Sequence, residues 1–319
     1  MSMDLSLEEF LNQLADTDQP IPLDHIQLLS DLDSNQAAVV ASRWPSIAKS
    51  RRSALIEHCG KIAEEKVHLL FEPLNRIALE DPVSAIRIQA IRNLWECEAP
   101  DLIPILVAML EQSSQDEERG AAAEALGQFV YLGEFDEIPE AILAEMETAL
   151  LHAVEHDPSS EVRRQALESL GYSSHQRVAG LISTFFSADD ELDQIAALSA
   201  MGRSADPVWN EIVQAAILHP SPKIRLQAAH AAGELEIDSA VDDLIELLDD
   251  IDAGIQAAAI WALGQIGGDA ARESLLFLEE SDDDLLAELV QEALEHLDFI
   301  DGTDNFSLFD IDDPQGPSH

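Results

Sequence analysis

The apolar positions along this chain keep a helical period, and one helical stretch returns again and again. Glu161–Gly171 reads EVRRQALESLG, Lys223–Gly233 reads KIRLQAAHAAG and Gly254–Gly264 reads GIQAAAIWALG. Each places small or aliphatic residues three and four apart, which gives a helix one buried face. Gly171, Gly202, Gly233 and Gly264 follow one another at intervals of 31, and Glu295 takes the next place. Upstream, Ala85–Trp95 (AIRIQAIRNLW) and the stretch ending at Gly127 (ERGAAAEALG) carry the same pattern at a spacing of 32, with a fainter copy ending at Gly60.

A second apolar-periodic stretch lies between successive copies, as in Leu102–Leu110, Val178–Phe186 and Ala240–Leu248. A period near 31 has room for two helices of roughly 11–13 residues and two tight turns, which predicts stacked helical hairpins. Asp81-Pro82, Asp157-Pro158, Asp206-Pro207 and His219-Pro220 put a polar residue and then Pro where helices should begin. The repeated glycines are expected to end helices in the left-handed conformation. Two places break the rhythm. Gly127 and Gly171 are 44 residues apart, which implies about 13 inserted residues, assigned to Tyr131–Glu140. Leu192–Gly202 keeps the spacing but has Asp193 and Gln194 where other copies have Val162 or Ile224 and Arg163 or Arg225.

The recurring signature D-P-x-x-x-V-R-x-x-A-x-x-x-L-G resembles the short bacterial HEAT repeats also seen in phycobilin lyases, over roughly residues 35–297. Gly202–Trp209 (GRSADPVW) and Ala259–Gly268 (AIWALGQIGG) resemble a group of bacterial HEAT-repeat proteins. The expected fold is therefore all-α: a single right-handed α-α superhelix, a HEAT-like solenoid of about seven or eight hairpins. The resemblance implies an interaction scaffold, with the second helix of each hairpin lining the concave side. Residues 1–34 are expected to cap the solenoid, with Leu7, Phe10, Leu11 and Leu14 as the apolar stripe of a short helix. Residues 35–298 form the repeats, and 299–319 an acidic tail whose low helix propensity predicts disorder.

Composition narrows the function. Apolar residues make up 46% of the 319 and aromatics only 5%, as suits helices packed through Ala and Leu. With 63 acidic residues against 17 basic ones, the formal net charge is −46. Such a field repels nucleic acid phosphates and anionic membrane, and favours a basic protein partner or a high-salt habitat. The bases are uneven: nine of the 17 fall in residues 43–92, and none follows Arg272. Cys59 and Cys97 are too few for a disulfide framework and sit in no metal-type pair. The acidic N-terminus lacks the basic start of a signal peptide, and no apolar run approaches about 18 residues. A soluble, cytoplasmic monomer is expected.

Candidate chemistry is sparse. Deoxyhypusine hydroxylase, an enzyme of similar architecture, depends on adjacent His-Glu pairs, and none of the ten histidines here is followed by Glu. The reversed pairs Glu57-His58, Glu155-His156 and Glu295-His296 lie far apart. No metal or cofactor is expected. Gly264–Gly268 ends a helix with no strand before it, which rules out a phosphate loop. Cys59 reads as a buried repeat cysteine, and Asp282-Asp283-Asp284 as a turn and helix cap. Arg87, Arg119, Arg163 and Arg225 share one repeat position; pairing with acids of adjacent hairpin turns is favoured over a ladder for anions.

On a helix wheel, Arg92, Glu124, Glu168, Ser199, His230, Trp261 and Glu292 form one outward column. The column one turn earlier runs Ile88, Gly120, Arg164, Ile195, Leu226, Ala257 and Glu288. In three consecutive repeats the pair becomes apolar or aromatic, so Ile195, Ser199, Leu226, His230 and Trp261 are the candidate partner-binding residues. Trp209 is expected to pack inside its hairpin. Trp95 takes the place of a terminal glycine and is expected to be exposed. Phe306, Leu308 and Phe309, set among acids, are a candidate docking motif in the tail. These features predict a non-catalytic scaffold for a protein partner; a lyase-like accessory subunit and an acidic chaperone for a basic client are the alternatives.

Overall fold

The computed structural model describes residues 5–279 and 284–307, and every regular element among them is helical. The chain divides into two compact units at Ser169/Leu170. The first contains α1 (Leu7–Ala15), α2 (Ser34–Arg43), α3 (Lys49–Glu65), α4 (Glu72–Ala78), α5 (Ser84–Asn93), α6 (Ile103–Gln112), α7 (Asp116–Glu134), α8 (Glu140–His156) and α9 (Ser160–Leu170), whose last residue opens the second unit. The second contains α10 (Val178–Phe186), α11 (Glu191–Arg203), α12 (Asn210–Ile217), α13 (Pro222–Glu234), α14 (Val241–Leu247), α15 (Ala253–Ile266), α16 (Asp269–Glu279) and α17 (Asp284–Ser307). From α2 onward the helices alternate as the first and second members of eight hairpins.

Within each unit the second helices stack in chain order. α3 lies on α5 and α5 on α7; in the second unit α11, α13, α15 and α17 form one continuous layer. The first helices α12, α14 and α16 touch one another less extensively. The predicted aspartates do begin the hairpin helices: Asp81, Asp157 and Asp206 each accept the backbone N–H two residues on, at 2.8, 2.9 and 3.0 Å. His219 does the same through Nδ1, 3.1 Å from the Ser221 amide. At the N-terminus Ser6 and Glu9 close a capping box on α1, which buries Phe10, Leu11 and Leu14. Arg51 then donates to the carbonyls of Gln13 and Leu14 at 3.0 and 2.6 Å, satisfying acceptors at that helix's end, and to that of Gln19 in the following turn at 2.7 Å.

Three of the repeated glycines do not end helices as expected. Gly202, Gly233 and Gly264 lie inside α11, α13 and α15, and none has a positive φ. A Cβ on each would lie 3.0, 2.9 and 3.1 Å from the Cα of Ala231, Ala262 and Ala293 respectively. Glycine is there because the next second helix crosses at that point with no room for a side chain. Gly127 has the same role in the first unit, 3.3 Å from the Ser169 Cα. The left-handed turn residues are instead Ala205 and Glu236, both at φ 49°, three residues past Gly202 and Gly233. Gly267 and Gly268, at φ 78° and 89°, do end α15 as glycines should.

Two boundaries also move. The extra residues after Gly127 do not form a loop: α7 continues to Glu134, and α8 is 17 residues long where α4 and α14 have seven. The inserted length is taken up largely as additional helical turns. α17 runs through Ser307, so residues 299–307 are helical rather than disordered. Once Val290, Leu294 and Leu297 anchor that helix in the layer, each further residue costs little to add.

Candidate functional site

The crossing of Gly202 on Ala231 recurs as Gly233 on Ala262 and Gly264 on Ala293, each pair 29 residues apart. Three identical crossings place residues 31 apart on the same face of successive second helices. His230 and Trp261 meet in this way, ring centroids 5.5 Å apart and tilted by 50°. Trp261 also leans back over the preceding helix, its Cζ3 lying 2.6 Å from where a Gly233 Cβ would be. One glycine thus seats both the backbone crossing and the indole edge. The residue nevertheless remains 38% exposed. Ile195, Leu226 and Ala257, one turn earlier on α11, α13 and α15, are half-buried.

The candidate residues are therefore brought together, with one correction. Ser199 is buried, 7% exposed, and presents nothing to a partner. The column leans toward the preceding helix, as Trp261 does over Gly233, and a side chain as short as serine cannot emerge from the layer. Leu192, 46% exposed at the start of α11, extends the apolar strip instead and was missed. Burial pushes the His230 imidazole below its usual value, so it is neutral at pH 7. Phe306 lies in the last turn of α17, whereas Leu308 and Phe309 are outside the described residues, as are Asp282 and Asp283.

Beyond Trp261 the face changes character. Glu288, Glu292 and Glu295 on α17 occupy the places of Ala257, Trp261 and Gly264, and all three are exposed. Glu295 also stands where the preceding second helices carry glycine.

The recurrent arginines are structural, as favoured. Arg87 grips Glu118 through two nitrogens, at 2.5 and 2.6 Å, and donates to the Asp81 carbonyl at 2.6 Å. Arg119 binds Asp157 at 2.7 and 2.9 Å and the Ser113 carbonyl at 3.0 Å. Arg225 binds Asp250 at 2.7 Å and the His219 carbonyl at 3.1 Å, and Arg163 reaches the Asp157 carbonyl at 2.9 Å. In each case the guanidinium closes its own hairpin turn at the carbonyl six residues back. Gln194 keeps that bond with its amide, to the Ala188 carbonyl at 2.9 Å. Arg52 and Asp81 form a buried pair, with the Trp44 indole N–H also on Asp81. Burial alone would raise the Asp81 carboxyl, but these donors hold it below the usual carboxylate range.

Burial pushes the Cys59 thiol well above its usual value, as for an inert core cysteine. Among the described residues no group of three His, Cys, Asp or Glu side chains could hold a metal ion, and no helix is long and apolar enough to cross a membrane. Trp209 packs inside its hairpin at 5% exposure.

A cleft that the sequence did not disclose lies in the first unit. α5 has ten residues between neighbours of 17 and 19, α3 and α7. Beside the end of α5 lies this cleft of about 910 Å³ between α3, α4 and α5, lined in part by Val67, Leu70, Phe71, Leu94, Trp95 and Cys97. Trp95 is 66% and Val67 87% exposed. The signal available was Trp95 at a glycine position; the apolar run Val67–Phe71 belongs to a loop that no helical period describes.

Residues 209–295 match the family of HEAT repeats. No curated protein matches the chain. Among solved structures, the complex of CpcE and CpcF of phycocyanin lyase from Nostoc is similar at 19% identity and a TM-score of 0.51, over 72% of this chain and 95% of that one. Importin beta is similar at 13% identity and a TM-score of 0.46, over 91% of this chain and 46% of that one. A designed armadillo repeat protein in complex with peptide (KR)4 shows 18% identity and a TM-score of 0.40, over 61% of this chain and 99% of that one. The chain is an all-α protein of HEAT-like helical-hairpin repeats.

Proposed function

We propose that the chain is a non-catalytic scaffold that binds a partner protein on the second-helix face of its second unit, around Trp261. The observation that carries this reading is the His230–Trp261 pair, a large indole held in place by Gly233 on a residue that is 38% open to solvent. Half-buried Ile195, Leu226 and Ala257 lie beside it. A partly exposed aromatic fixed beside aliphatics is how recognition surfaces carry most of their binding energy. The indole is already held by Gly233 and His230, so little of its side-chain freedom is lost on docking.

Affinity capture on the immobilised full chain, read by mass spectrometry, tests this against the Trp261→Ala variant. A partner enriched on the parent chain and lost from the variant, with unchanged helical circular dichroism, is the expected outcome. Identical captured sets would remove this face from consideration.

A further inference from the structure

We infer that the partner segment taken by this face is a basic amphipathic helix, its apolar stripe on Leu226 and Trp261 and its lysines or arginines on Glu288, Glu292 and Glu295. This rests on the reading of the Trp261 face as a docking site. The 31-residue register sets the three glutamates directly beyond the apolar strip, one helix along the same layer. An occupant long enough to cross from α13 to α17 meets apolar surface first and three exposed carboxylates next.

The second unit has no cation left to neutralise them. Its bases are Arg177, Arg203, Lys223, Arg225 and Arg272. Arg225 is held by Asp250, Arg272 by Asp298 and Lys223 by Glu191. Arg203 stacks over Tyr172, and Arg177 is also engaged. Positive charge for this face must come from outside the unit. A second copy of the chain is a poor source, since two surfaces of net charge −46 repel each other. A basic helix supplies the charge and the apolar stripe together.

The test uses the full chain and a labelled amphipathic helix of leucine and lysine, about 18 residues long, with a leucine/glutamine peptide of equal length beside it. Binding is read by fluorescence anisotropy near physiological salt. A triple variant, Glu288→Gln with Glu292→Gln and Glu295→Gln, is compared with a control triple of exposed first-unit acids, Glu111→Gln with Glu117→Gln and Glu137→Gln. Both remove the same net charge, so a purely long-range field treats them alike. The α17 triple is expected to weaken the lysine peptide by about tenfold and the control by less than about twofold. Trp261→Ala should weaken both peptides. Equal losses from the two triples, or a glutamine peptide that binds as tightly as the lysine one, overturn the basic partner and leave the docking face standing if Trp261→Ala still weakens binding. Loss from the α17 triple with Trp261→Ala silent overturns the docking face, and the inference with it.

Discussion

The two units solve the same packing problem with different chemistry. In the second, α11, α13, α15 and α17 meet through Ala and Gly, and each crossing is a near copy of the last. In the first, beside the glycine crossing at Gly127, charge adds to the joints: Arg52 on Asp81, Arg87 on Glu118 and Arg119 on Asp157, all with acids that are nearly buried. The second unit also has such a joint, Arg225 on Asp250. Small-residue crossings give a regular layer with an even outer face, and that is where Trp261 is displayed. The charged joints accompany helices of uneven length, and the cleft beside Trp95 lies in that unit.

The sharpest way to break this contrast is to remove the carboxylate at the centre of the first unit. Asp81→Ala leaves the Arg52 guanidinium and the Trp44 indole without their acceptor in a site closed to water. A loss of about 3–5 kcal/mol is expected, since an unpaired buried charge is left behind. Urea denaturation of the variant checks it; a loss below about 1 kcal/mol would show that the joint is not what holds these hairpins.

Acid should tell the units apart in the same direction. Burial opposes ionisation of Asp81, Glu118 and Asp157, but the guanidiniums win and leave all three carboxyls lowered. Folded values below unfolded ones mean that the stabilisation is complete above the ordinary carboxylate value near 4 and is lost as pH falls through the lowered values. Hydrogen exchange resolved by peptide should therefore show the first unit losing protection before the second below about pH 4. Asp81→Asn should flatten that dependence.

Glycine substitutions probe the other half of the contrast. Gly264→Ala puts a methyl 2.9 Å from the Ala293 Cβ and 3.1 Å from its Cα, and backbone cannot swing aside. A cost of about 1–3 kcal/mol is expected. Gly60→Ala in the first unit meets chiefly the Asn93 carboxamide, whose oxygen lies nearest. That tip can move, although Asn93 also binds the Ile56 carbonyl and Asn75, so a smaller loss is expected in thermal melts. Equal costs at the two sites would mean that the joints do not differ in kind.

The hairpins, their starts and the arginine position were legible because each is local: an apolar period, an Asx turn, a guanidinium closing its own turn. The glycines were legible as a period and misread as a mechanism. A helix-ending glycine and a helix-crossing glycine look alike in one dimension, and only the Ala231, Ala262 and Ala293 backbones on the facing helices distinguish them. The wheel placed Trp261 and His230 on one face correctly, because a face needs only the 3.6-residue period. It could not place Ser199, whose burial depends on how far the neighbouring helix overhangs. The cleft beside Val67 and Trp95 was invisible for a similar reason, since it forms where the ends of α3 and α5 meet the loop before α4.

Gly180 provides the smallest test and the cleanest. It lies in α10 of the second unit, and a Cβ there would meet nothing within 4 Å. If glycine in these helices serves contact alone, this one serves none, and alanine should gain the helix propensity that glycine forfeits. Gly180→Ala is expected to stabilise by about 0.5–1 kcal/mol, partly by restricting the unfolded chain. The opposite signs at Gly180 and Gly264 would then come from one helical unit and one kind of substitution, with facing backbone as the only difference. A loss of stability at Gly180 would mean that glycine in these helices meets some need other than close approach, and the account of the crossings would have to be revised.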